Sequence, residues 1–223
     1  MSKVIKMSDD IKMQYFHASY FKDLAIANLK QARVEPNREC SLTESGIVNY
    51  FKAAHINPYH YIDIYQLYSD GVFVPQSPGK SKAMLDRILQ LNLLSRVGRS
   101  KIPFPITQNQ KLTLAYISLQ LANQAYKNGQ TNLAIVYYKK SNALSPLGEP
   151  YAGRLSRLLI EKANDLYVSD KLTQCAELYR QANQLVPLCE KDRIFYLTLC
   201  ESLKKQKSLG CDNKRGTSLC LAA

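Results

Sequence analysis

The chain has 223 residues, 46% of them hydrophobic, with only nine Gly and nine Pro. Such a chain buries a substantial core as one large domain or two small ones. Few breakers and no long β-branched alternation exclude a strand-rich fold and favour helices. The formal net charge of +12 is spread along the chain, with one local enrichment near the C-terminus. A diffuse basic surface suits acidic peptides, anionic lipid or nucleic acid alike.

The first predicted element is one long helix or two joined helices over Asp9–Arg33, carried by Tyr15, Ala18, Phe21, Leu24, Ala25, Leu29 and Ala32 at helical spacing. Val34-Glu35-Pro36-Asn37 ends it. Ser41-Leu42-Thr43-Glu44 has the form of a capping box and predicts a second helix through Ile47, Tyr50, Phe51 and Ala54, stopped by Asn57-Pro58. Tyr59–Tyr68 reads as helical. Val72–Ser81 reads as irregular, and Lys82–Leu94 as a short amphipathic helix. Val97–Gln108, with Gly98, Pro103 and Pro105, is the best linker in the chain. These features place an N-terminal helical region at residues 1–106.

After the linker, Leu112–Asn128 is a helix, Gly129-Gln130 a turn and Thr131–Leu144 a second helix stopped by Ser145-Pro146. Arg154–Val168 and Lys171–Val186 repeat the pair, stopped by Pro187. A closing helix runs from about Asp192 to Lys207, and 208–223 reads as a flexible basic tail. The two pairs match residue for residue at a spacing of 41: Ala122 with Ala163, Tyr126 with Tyr167, Gly129 with Asp170, Ala134 with Cys175, Tyr138 with Tyr179, Ser141 with Ala182 and Pro146 with Pro187. A fixed period of this length marks a helical repeat. Small residues let antiparallel helices approach, large aromatics fill the gaps, and one pair cannot bury its apolar face alone.

Leu121 to Gln130, followed by Ala134-Ile135-Val136-Tyr137-Tyr138 and Pro146, resembles the tetratricopeptide repeat family. The resemblance covers about a third of the chain. It departs in Ala125, where a bulky residue is usual, and in a period seven residues longer than the usual 34. It implies an all-α fold of antiparallel helix pairs stacked as a TPR-like α-solenoid, with repeats and closing helix over 107–207. Upstream, Ala25-Ile26 through Pro36 resembles a second helix of the repeat, and Gly46 through Pro58 is a better-spaced echo.

In the family, the first helices line a concave groove that holds an extended peptide or a helix. Carried over, the peptide-binding residues are Tyr116, Asn123, Tyr126, Arg157, Asn164, Tyr167 and Lys191, with Arg193 beside them. Asn123 and Asn164 would hold both the N–H and the C=O of a bound backbone, and the flanking cations favour an acidic or C-terminal carboxylate ligand. The family's chaperone clamp needs a lysine where Leu119 stands and an asparagine where Glu161 stands, which argues against chaperone tails. The rival reading makes these polar residues only the solvated face of amphipathic helices. A weaker resemblance, at Ala143 to Tyr151, is to the 14-3-3-like helical domains of RNA-surveillance adaptors, which implies phosphopeptide binding through basic residues.

Cysteines stand at 40, 175, 189, 200, 211 and 220, none as C-x-x-C. With a polar, charged Met1–Asp10 and no run of about 18 apolar residues, they point to a reducing cytoplasmic compartment. The terminal Cys220-Leu221-Ala222-Ala223 has the form of a prenylation box, with Cys211 as a second thiol and a basic stretch upstream. Lipidation there would bring the chain to a membrane surface.

Catalytic signals are missing. Gly79-Lys80-Ser81 lacks the first glycine of a phosphate loop, so Ser81 reads as a helix cap. His55 and His60 straddle Pro58 with no ligand set beyond Asp63, and no catalytic residue, metal or cofactor is assigned. The expected function is a non-enzymatic adaptor or scaffold binding another protein. A nucleic-acid-associated protein and the helical part of an enzyme are the alternatives.

Overall fold

The computed structural model describes residues 8–96 and 104–216, which are helical, with no strand among them. The chain divides into two compact units, 1–120 with 143–145 and 121–142 with 146–223. No described helix is long and apolar enough to cross a membrane.

In the first unit α1 (Asp9–Ala32) pairs with α2 (Glu39–Ile56), and α3 (His60–Asp70) with α4 (Pro78–Gln90), followed by the short α5 (Leu93–Arg96). The α1–α2 crossing is close because Gly46 carries no side chain there. A Cβ would lie 2.7 Å from Leu29 Cγ and 3.2 Å from the Ala25 carbonyl oxygen. Ala25, Leu29, Tyr50, Ala54, Ile64 and Leu67 close over this contact as one core cluster. Gly46, Tyr50 and Ala53, the upstream echo of the repeat, are all buried on α2.

Several helix starts differ from the sequence reading. Pro36–Arg38 forms a 3-10 turn that delivers the chain into α2 at Glu39. Ser41 is therefore already inside the helix, and its hydroxyl donates back to the Arg38 carbonyl instead of forming a capping box. Likewise α4 begins at Pro78, whose fixed φ suits a first helical turn. Ser81 donates to the Pro78 carbonyl and caps nothing. The helix after the linker, α6 (Gln108–Lys127), starts four residues before Leu112. Thr107 and Gln110 make a reciprocal capping box there: the Thr107 N–H donates to Gln110 Oε1, and the Gln110 N–H donates to Thr107 Oγ1. Gln110 Nε2 then donates to Asp63 Oδ2 and to the Tyr59 carbonyl, tying α6 to α3. His60 Nδ1 lies 2.7 Å from the same carboxylate.

The second unit takes the end of α6, most of α7 (Thr131–Leu144), α8 (Tyr151–Val168), α9 (Leu172–Leu185) and α10 (Glu190–Gly216). The 41-residue match holds in the backbone. Gly129 and Asp170 both adopt left-handed φ, +70° and +56°. The Gly129 N–H donates to Tyr126 and the Gln130 N–H to Ala125. One repeat later Asp170 donates to Tyr167 and Lys171 to Leu166. Each first helix thus ends in the same paired bonds of a Schellman motif. Each second helix also ends alike: Asn142 Oδ1 accepts from the Leu147 N–H, and Asn183 Oδ1 from the Leu188 N–H. Between these ends Ala134, Tyr138, Ser141, Cys175, Tyr179 and Ala182 are buried. α8 starts at Tyr151, three residues earlier than Arg154, and α10 runs on past Lys207 to Gly216.

Gly129 adopts its left-handed conformation freely, whereas Asp170 has a Cβ that crowds the following carbonyl. Asp170→Gly is expected to stabilise the protein by about 1 kcal/mol in urea unfolding, and Gly129→Asp to cost a similar amount.

Candidate functional site

The first helices of the second unit carry the candidate side chains at matched positions. Asn123 lies one turn before Tyr126 on α6, and Asn164 one turn before Tyr167 on α8. Tyr126 is 39% and Tyr167 47% exposed. The asparagines are oriented from below by the second helix of the same repeat. The buried Tyr138 hydroxyl donates to Asn123 Oδ1 at 2.6 Å, and the Tyr179 hydroxyl to Asn164 Oδ1 at 2.7 Å, both across 15 residues. The carbonyl side of each carboxamide is therefore engaged within the fold. Asn123 Oδ1 accepts a second bond from Arg154, whereas Asn164 Oδ1 retains acceptor capacity, and each residue also carries its Nδ2 donor.

Sequence reasoning missed Arg154. Its Nη1 donates to Asn123 Oδ1 at 3.0 Å and to the Tyr138 hydroxyl at 3.2 Å. Its guanidinium lies 4.8 Å from the Tyr126 ring centroid and 5.8 Å from that of Tyr151. The Tyr138 hydrogen bond pushes the Arg154 pKa up, which holds its charge firmly in place. One period later the same position is Phe195, edge-on to Tyr167 at 5.0 Å and tilted against Tyr179 at 5.4 Å. The equivalence was readable by extending the 41-residue register into α10, but an arginine and a phenylalanine do not look alike in sequence.

Phe195 and Tyr167 border a cavity of about 570 Å³, closed by Leu172, Thr198, Leu199 and Ser202. One period earlier, Tyr126, Arg154 and Arg157 stand where Tyr167, Phe195 and Thr198 stand here. Arg157 is exposed on α8, and Lys191 is exposed in the first turn of α10. Tyr116 belongs to the first unit, where it lines a cavity of about 500 Å³ with Tyr65, Gln66, Asn109 and Thr113. Cys220 lies outside the described residues, and Cys211 falls within α10.

Two further lysines, Lys139 on α7 and Lys162 on α8, are held by hydrogen bonds. Lys162 donates to Asn132 Oδ1, and Lys139 to Gln181 Oε1 at 2.6 Å. Burial, then the neighbouring Lys162, lower the Lys139 pKa. On α9, Arg180 and Gln181 hold the Glu177 carboxylate down at about 2. Among the described residues no group of three or more His, Cys, Asp or Glu is placed to hold a metal ion. No protein-family model matches the chain, and no curated protein matches it.

Removing Arg154 leaves Tyr138 with one partner fewer and uncovers Tyr126. Arg154→Ala is expected to cost about 2 kcal/mol in urea unfolding, from hydrogen bonds and ring contact together. Arg154→Phe, which copies the next repeat, is expected to cost less than about 1 kcal/mol.

The second expectation concerns alkali. Burial, with Asp192 adding, pushes the Tyr179 phenol from 10.0 up to about 12. The folded value lies above the unfolded one. Its contribution is therefore intact below pH 10 and lost as pH rises through about 12. Tyr179→Phe is expected to lose less stability than the wild type over that interval, as measured by urea midpoints.

Proposed function

We propose that this chain is a non-enzymatic adaptor that holds an extended peptide along the first helices of TPR-like repeats in its second unit. The observation that carries the reading is the repeated Asn–Tyr pair beneath an exposed tyrosine, at Asn123–Tyr138 under Tyr126 and Asn164–Tyr179 under Tyr167. Stacked helix pairs of this kind form a solenoid whose first helices share one face. Rigid aromatic side chains on such a face supply contact area at small entropic cost.

The polarity of the face narrows the ligand. With Asn123 Oδ1 doubly engaged inward, the charged groups of the proposed site itself are cations, the Arg157 guanidinium and the Lys191 ammonium, and the asparagines add Nδ2 donors. A ligand that matches them offers acceptors, which are backbone carbonyls and carboxylates. The cavity beside Phe195 suits an apolar side chain of the same peptide. The net charge of +12 favours approach of an acidic segment.

The test is a fluorescence-anisotropy titration with a set of extended peptides, acidic and basic, each carrying an aliphatic residue. Acidic members are expected to bind. Tyr167→Ala and Arg157→Glu should each weaken binding about tenfold or more, while Val136→Ala on α7 leaves it unchanged. Equal binding of acidic and basic peptides, or full affinity in both groove variants, rejects the groove. Retention of DNA or RNA with a steep salt dependence, with no peptide bound, favours the nucleic-acid alternative instead.

A further inference from the structure

The register that matches α6 with α8 also matches α8 with α10, and the comparison exposes an uncovered face. On α8, Ala152, Ser156, Leu159 and Ala163 form one buried row, in which Ala163 packs with Cys175 and Tyr179 of α9. The Ser156 hydroxyl donates to the Ala182 carbonyl of α9, which fixes the direction of that face. One period on, the same positions of α10 are Arg193, Leu197, Cys200 and Lys204, with Ile194 between them. No second helix of this chain's described residues follows α10, and Ile194 is 55% and Leu197 52% exposed. The opposite side of α10 is satisfied: Leu199, Phe195 and Tyr196 pack against Tyr179 and Ala163. The apolar residues at 194 and 197 are therefore surplus to the core of this unit.

The charges around them say what fits. At helical spacing the face reads Glu190, Arg193, Ile194, Leu197, Cys200, Glu201 and Lys204, which are the positions three, four and seven residues either side of Leu197. Reversing this row end to end about Leu197 sets Glu190 against Lys204, Arg193 against Glu201, Ile194 against Cys200 and Leu197 against itself. Every charge meets its opposite, and every apolar residue meets another. A parallel copy would instead set like charges side by side. Of the two ways a second copy can lie along this row, the antiparallel one gives the match, and a two-fold axis generates that arrangement with the same patch on both partners.

We propose that the Ile194–Leu197 face of α10 is a self-association surface, closed by α10 of a second copy running antiparallel. The intrahelical Glu190–Arg193 pair, with both side chains more than half exposed, becomes one end of a four-charge cluster with Glu201 and Lys204 of that copy. The surface is about four helical turns long, near 22 Å. It lies at the small end of specific interfaces, so the dimer is expected at micromolar rather than nanomolar concentration. It adjoins the proposed peptide groove, which uses the Phe195 and Thr198 side of the same helix, with Ile194 and Glu201 one turn either side of Thr198.

Sedimentation equilibrium of the full chain at concentrations from about 1 to 100 μM tests it. The mass is expected to rise from 25.3 kDa toward twice that value. Leu197→Asp should remain monomeric throughout, with an unchanged helical circular dichroism spectrum. Arg193→Glu and Glu201→Lys, both at exposed positions, should each weaken association about tenfold. The double variant should recover it, because the reversed charges again meet opposites across the two-fold axis. A wild type that stays monomeric overturns the proposal, and so does a dimer that survives in Leu197→Asp. Failure of the double charge reversal to recover association overturns it as well, even if Leu197→Asp itself fails to fold.

Discussion

A buried phenol needs an acceptor. Tyr138 and Tyr179 are almost wholly enclosed between helices, and an unpartnered hydroxyl there would cost on the order of 1–3 kcal/mol. The first helix of each repeat supplies the acceptor through Asn123 or Asn164, 15 residues upstream. That bond fixes how far one helix slides along the other, because a one-residue shift turns the asparagine away. The small residues around it, Ala122, Ala134 and Ser141 in one repeat and Ala163, Cys175 and Ala182 in the next, let the helices come close enough for it to form. Turn geometry, orientation of the asparagines and placement of Arg154 follow from that contact.

The helix pairs themselves were legible because their determinants are residue types: small residues at the crossing, tyrosine in the gap, proline after the second helix. Thr131–Leu144 falls where the sequence places it. What spacing alone does not show is direction. Asn123 and Asn164 read as ligand-facing amides, yet their oxygens point into the repeat. Arg154 stayed hidden for a related reason, since its counterpart is Phe195 and the register was followed through likeness of residues. Helix starts failed differently. Pro103 and Pro105 drew attention to a linker, while the reciprocal bonds of Thr107 and Gln110 had already begun α6. Asn142 and Asn183, whose side chains cap the turn after each second helix, carry a readable signal in their 41-residue spacing.

The first unit meets the same demand in another way. Gly46, Tyr50 and Ala53 lie buried on α2 as Ala134, Tyr138 and Ser141 do on α7. Gly46 is smaller than either counterpart, because α1 brings Leu29 to the crossing instead of an alanine. Tyr50 is so enclosed that burial, then Asp63 and Asp23, drive its pKa far above that of a free phenol. Polar satisfaction is concentrated beside it, where one carboxylate, Asp63, receives His60 and Gln110 and lies 4.0 Å from Lys22. This unit is joined by one shared acceptor where the second is joined by a repeated one.

Repetition and departure do different work in the second unit. Positions that repeat, the glycine or aspartate turn, the tyrosine–asparagine bond and the asparagine cap, are those whose geometry the helix pair requires. Positions that differ are released from that requirement and set surface chemistry. Arg154 and Phe195 occupy one slot in consecutive repeats and meet equivalent tyrosines, one as a cation over a ring and the other as ring against ring. The slot tolerates both because an aromatic neighbour accepts either an edge or a cation. The outcome is nevertheless unequal: a charged neighbour beside Tyr126 and an apolar one beside Tyr167. An extended ligand reading both would have to change character within one repeat, from acceptor-rich to apolar, and its direction along the helices would be set by that change.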